Sequence, residues 1–79
     1  MRTKREVPEF IRNNIRKVGI NISKIRIDKG LSQEKLAYRS GIAKSFLGYI
    51  ESGKANPTLE TLYLILDGLE VSLSELIDI

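Results

Sequence analysis

Neither cysteine nor histidine occurs among the 79 residues. Without thiols there can be no disulfide and no thiolate metal site, and without imidazole the commonest general base and metal ligand is missing. No purely apolar run is longer than three or four residues, far below the roughly 20 that a membrane helix needs. The basic N-terminus is followed by no apolar signal core. There is no glycine-rich phosphate loop, and the carboxylates are scattered without pairing or metal-ligand spacing. No constellation supports a lysine or serine nucleophile. The chain is therefore expected to be no enzyme and to carry no cofactor and no metal.

What remains is one small domain that must be held by packing alone, with a second copy of the chain as one source of that packing. The absence of cysteine fits the cytoplasm, which is the expected location. Charge is divided along the chain. All 13 Lys and Arg lie within residues 1–54, against five acids there, which leaves +8; residues 55–79 hold five acids and no base, which leaves −5. A protein that meets a polyanion with one end and a different partner with the other has reason to separate charge in this way.

The whole chain reads as helical. Pro8 suits the first turn of a helix, and Ile11, Ile15, Val18, Ile22 and Ile25 follow at spacings of four and three, down to about Lys29. Gly30 stops that stripe. Gly19 leaves two readings open, one continuous helix or a short leading helix followed by a core helix from about Val18. The segment Ser52–Thr58 is a loop by composition, with Pro57 disfavouring helix at Asn56 and Thr58 placed to cap the next helix. Leu59, Leu62, Ile65, Leu66 and Leu69 form an apolar face, and Ser72-x-x-Glu75 reads as a capping box opening a last helix with Leu73, Leu76 and Ile77. No segment alternates with period two long enough for a strand.

Residues 30–53, GLSQEKLAYRSGIAKSFLGYIESG, carry the most information. Ser32 can cap a helix from about Gln33 to Ser40, Gly41 supplies a permissive turn, and a second helix from about Lys44 to Ser52 ends at Gly53. At about 100° per residue, Phe46, Leu47 and Ile50 fall on one side of that second helix and Lys44, Ser45, Gly48, Tyr49 and Ser52 on the other. Two short helices joined at such a bend can place one of them in the major groove of DNA, and the outward set offers the donors, acceptors and close approach needed to read base edges. The same pattern also fits an ordinary amphipathic surface helix.

The strings GLSQEKLA, SGIAKSFLGYIESGKANPTLETL and GLEVSLSEL, in this order and at these intervals, resemble the Cro and lambda-repressor type of helix-turn-helix DNA-binding domain over about residues 20–77. The resemblance implies an all-α, compact five-helix fold with an N-terminal helical extension. It also implies binding to double-stranded DNA as a two-fold homodimer. On it the chain divides into a basic helical extension, residues 1–17, and a helix-turn-helix domain with a C-terminal dimerisation helix, residues 18–79.

Residue roles follow position by position. Gln33 resembles the glutamine that contacts a phosphate and buttresses the reading helix; a plain helix-starting polar residue is the alternative. Lys44, Ser45 and Tyr49 match positions that meet base edges or adjacent phosphates in relatives, although a tyrosine at a helix margin can also simply pack. Gly48 and Ser52 share their face. Lys54, Ala55 and Asn56 lie where relatives make phosphate contacts, and Arg26 with Glu51 matches a partly buried salt bridge beneath the DNA-facing surface. Two residues depart from the family pattern. Ala43 stands where a capping Ser or Thr is usual, and Gly48 sits mid-helix, either for close approach to DNA or as tolerated drift.

The acidic end supplies the expected dimer interface, Leu64, Leu73, Leu76 and Ile77, with packing on residues 8–18 of the same chain as the alternative. Arg2, Lys4 and Arg5 can form a basic arm along DNA or a merely solubilising tail, and Phe10, Ile11 and Ile15 are expected to cover the core or the dimer seam. The expected function is a small sequence-specific transcriptional regulator, acting as a repressor on an inverted-repeat operator, with no membrane and no small-molecule effector. It resembles phage-type repressors and restriction-modification controller proteins. A protein-interaction module such as an antitoxin is the competing class.

Overall fold

One helix of 20 residues, α1 (Glu9–Asp28), carries the apolar stripe without interruption. In the computed structural model, which describes residues 6–77, it is followed by α2 (Gln33–Ser40), α3 (Lys44–Glu51), α4 (Leu59–Leu69) and α5 (Leu73–Ile77). Among the described residues every regular element is helical. The basic arm Arg2, Lys4 and Arg5 lies outside them.

Gly19 does not divide α1. A Cβ there would overlap the carbonyl oxygen of Ile50 and stand 3.1 Å from that of Glu51, so this glycine is where α1 lies directly against the end of α3. Of the residues N-terminal to it in α1, only Val18 packs against the core. Phe10 is 64% exposed and does not cover the core, while Ile11 and Ile15 are half-buried.

The caps follow the local chemistry. The Ser32 hydroxyl accepts the Lys35 N–H at 3.0 Å, and Thr58 Oγ1 accepts the Thr61 N–H at 3.1 Å, each using one of the four N–H groups a helix start leaves free. Gly41, at φ 71°, turns the chain between α2 and α3. Helix α3 ends at Glu51, with Ser52 as its cap and Gly53 in the left-handed region at φ 76°. In α4 that region is taken by Glu70, at φ 60°. Gly68 instead serves packing, since a Cβ there would lie 2.6 Å from Ser40 Oγ and 3.1 Å from Leu36 Cδ1. At the start of α5 the Glu75 carboxylate accepts the Ser72 N–H at 2.8 Å, while the Ser72 hydroxyl meets Ser74 rather than completing the box.

Helix α1 packs on α3 and α5, and α2 packs on α3 and α4. The core between them is Ile22, Leu36, Ala37, Leu47, Ile50, Ile65, Leu66, Leu69 and Leu76, with Val18, Ile25, Leu31, Phe46, Leu62 and Leu73 closing its edges. Two expectations fail here. Leu59, the first residue of α4, points outward and is 71% exposed. Leu76 is wholly buried in the chain's own core and so is not a dimer-interface residue. The reason is α5 itself, whose inner side faces α1, where Asn21 Nδ2 donates to the Leu76 carbonyl at 3.2 Å. Leu73 packs partly against the core, while Leu64 and Ile77 remain 42% and 55% exposed.

Candidate nucleic-acid interface

Helix α3 has two unlike sides. Leu47, Ile50 and Glu51 are buried, whereas Lys44, Ser45, Tyr49 and the cap Ser52 stand in solvent. Tyr49 is 56% exposed, which places most of its ring outside the core. The Ser52 hydroxyl donates to the Tyr49 carbonyl at 3.1 Å, so only its oxygen is free to accept a further bond. Lys54 and Asn56, in the following loop, are exposed on the same stretch of chain. That loop is tied to α3: the Lys54 and Ala55 N–H groups both donate to the Tyr49 carbonyl, at 2.8 and 3.2 Å.

A clasp beneath this surface fixes the orientation of α3. Arg26 grips Glu51 with two charge-assisted bonds, Nε to Oε2 at 2.8 Å and Nη2 to Oε1 at 3.0 Å, while its Nη1 donates to the Leu31 carbonyl at 2.8 Å. Gln33 Nε2 adds a bond to Glu51 Oε1 at 3.0 Å. One carboxylate thereby joins α1, α2 and α3, and Arg26 ties in the turn after α1. Gly48 belongs to the same neighbourhood, since a Cβ there would lie 3.9 Å from Gln33 Nε2, an ordinary contact. The glycine leaves the middle of the exposed face low without being demanded by packing.

The N-cap of α3 is Ala43, in extended backbone and with no side-chain bond to the helix. The first-turn N–H groups of α3 therefore have no side-chain cap.

A helix-turn-helix family model matches residues 22–76. The chain belongs to the helix-turn-helix family of DNA-binding transcriptional regulators. Over 60 residues it is 43% identical to an uncharacterized HTH-type transcriptional regulator, y4dJ, of Sinorhizobium fredii, covering 76% of this chain and 78% of that one. Among solved structures, the restriction-modification controller protein C.AhdI from Aeromonas hydrophila superposes with a TM-score of 0.79 at 34% identity, covering 81% of this chain and 97% of the other. A second controller protein, C.Esp1396I, solved as a tetramer in complex with its natural 35-base-pair operator, gives a TM-score of 0.77 at 40% identity over 82% and 86% of the two chains. The match spans only 36% and 31% of two Escherichia coli regulators, SutR and PuuR. Among the described residues of this helix-turn-helix protein no helix is long and apolar enough to cross a membrane.

Sequence reasoning named Gln33, Arg26 and Glu51 without joining all three, and it missed Asn21. A polar residue inside an apolar stripe was the available signal for Asn21. It also missed that Arg12 and Arg16, in the N-terminal half of α1, lie beside the loop after α3.

Proposed function

We propose that the chain is a cytoplasmic, sequence-specific regulator that binds an inverted-repeat operator as a homodimer and represses transcription. The observation that carries this reading is the exposed row Lys44, Ser45, Tyr49 and Ser52, with the half-buried Gly48 between them, on a helix whose other side is locked by the Arg26–Glu51–Gln33 clasp. A base-reading helix needs that combination, because hydrogen bonds to base edges discriminate only if their donors are held in register. Lys44 donates to guanine O6 and N7, Ser45 exchanges a bond with either base type, and the Tyr49 ring and hydroxyl meet a thymine methyl or a neighbouring phosphate. Gly48 admits the helix close to the groove floor. Ser52, Lys54 and Asn56 contact phosphates, and Gln33 bonds a phosphate with the amide atoms that Glu51 leaves free.

Two copies meet through apolar side chains that the acidic half leaves open, Leu64 and Ile77, together with the exposed edge of Leu73. A closed two-fold pair sets the reading helices about 34 Å apart, one turn of DNA. The likeness to controller proteins over nearly their whole length supports a role of that kind, in which protein concentration sets occupancy of the operator.

Lys44→Ala tests the base-reading assignment. Binding to the preferred site falls by about 1–3 kcal/mol while binding to random duplex changes much less. Equal loss on both DNAs reduces Lys44 to a phosphate contact.

A further inference from the structure

Arg12 and Arg16, on successive turns of the N-terminal half of α1, face the loop after α3 across a surface cleft of about 210 Å³, which they line together with Ile15, Gly53, Lys54 and Asn56. Three cations therefore border one small cleft, an arrangement that favours an anion among them. Among the described residues the only acid in contact is Glu9, 3.4 Å from the Arg16 guanidinium; both groups are solvent-exposed and the pair is weak. Arg16 also bonds Asn13. Among the described residues Arg12 and Lys54 form no ion pair.

The cleft is built rather than incidental. Gly53 is left-handed, and a Cβ on it would overlap Arg16 Cγ and lie 3.2 Å from Arg16 Cα, so the loop lies directly on the α1 backbone at this point. The same loop is anchored to Tyr49 on α3, which places the cleft in rigid continuity with the reading helix. Both arginines precede residue 22, where the match to the family begins.

We propose that this cleft receives a backbone phosphate of the DNA beside the bases that α3 faces, so that the N-terminal half of α1 adds a contact of this chain's own to the interface. This rests on the DNA-binding reading above. Contacts to phosphate carry no sequence information, so they raise affinity for every duplex by the same factor and steepen its dependence on salt.

The test is fluorescence-anisotropy titration of the full chain on the duplex it prefers and on random duplex, from low to moderate salt. It compares the parent with Arg12→Gln, Arg12→Gln/Arg16→Gln and the charge-matched control Lys24→Gln. Lys24 is exposed further along α1 and borders neither this cleft nor Ile77. Arg12→Gln alone guards against a packing effect of losing the Arg16 stem, and circular dichroism checks helix content. The expected result is a log–log salt slope lower by about one per chain in the double variant, with the same fold-loss on both duplexes and a much smaller change in Lys24→Gln. A parent that binds DNA beside variants with unchanged slope and affinity overturns the cleft assignment alone. A parent that binds no DNA overturns the DNA reading and this inference with it.

Discussion

Gln33, the first residue of α2, donates its side-chain amide to Glu51, the last residue of α3, at 3.0 Å, on the same carboxylate that Arg26 holds from α1. The two helices of the DNA-binding unit are thus fastened at their far ends through a buried charge. Arg26 and Glu51 side chains are only 12% and 6% exposed, so desolvation consumes most of their attraction, and the pair is worth more as geometry than as net stability.

Glu51→Ala leaves the Arg26 guanidinium buried without its counter-charge. Urea unfolding is expected to show a loss of about 3–5 kcal/mol, a large share of the roughly 4–12 kcal/mol available to a domain of this size. The double substitution Arg26→Met/Glu51→Leu should recover much of that stability but not the DNA affinity, because helix α3 loses its clasp. A loss below about 1 kcal/mol for Glu51→Ala would mean that the pair behaves as a surface contact.

Gly19 and Gly48 both sit inside helices, where alanine is intrinsically better by about 1 kcal/mol, yet they should respond in opposite directions. Gly19→Ala drives a methyl group into the Ile50 carbonyl and is expected to lower the unfolding midpoint sharply. Gly48→Ala meets only an ordinary contact with Gln33 and should raise stability by about 1 kcal/mol. If Gly48 serves close approach to DNA, that stabilised variant binds its operator more weakly. Unchanged operator affinity would leave Gly48 without a role at the interface.

Ala43→Ser restores the missing cap of α3. The backbone at 43 is already extended, with φ −69° and ψ 141°, so the hydroxyl can reach the N–H groups of the first turn without strain. Chemical denaturation should show a gain of about 1 kcal/mol with an unchanged denaturant slope.

Ile77→Asp places a charge on an exposed apolar residue and should leave the fold intact. Sedimentation is expected to show a monomer where the parent sediments as a dimer, with poor operator affinity. An unchanged sedimentation coefficient removes Ile77 from the interface. Leu76 is unsuited to this test, since its side chain belongs to the core.

How far the sequence revealed the fold depends on whether the signal was local. Helix α2 and the start of α3 follow directly from Ser32, Gly41 and the apolar spacing, because caps and turns are decided by a few adjacent residues. The reason for a glycine inside α1 was not legible, since it lies in the Ile50 carbonyl, 31 positions away. Leu76 was misplaced for a similar reason. A five-residue helix has too little periodicity to show which side faces inward, and only the packing of α5 on α1 decides it. At the interface, the exposed row on α3 could be read from its helical spacing, whereas the neighbourhood of Arg12, Arg16 and Lys54 depends on how α1 crosses the loop after α3.

The most direct measurement is selection from random duplex DNA by the purified full chain, with the enriched sequences then titrated across a salt series. The account predicts an inverted repeat with half-site centres about one helical turn apart, bound far more tightly than random duplex at every salt concentration. Salt-sensitive binding with no enriched sequence, or no binding at all, would contradict it.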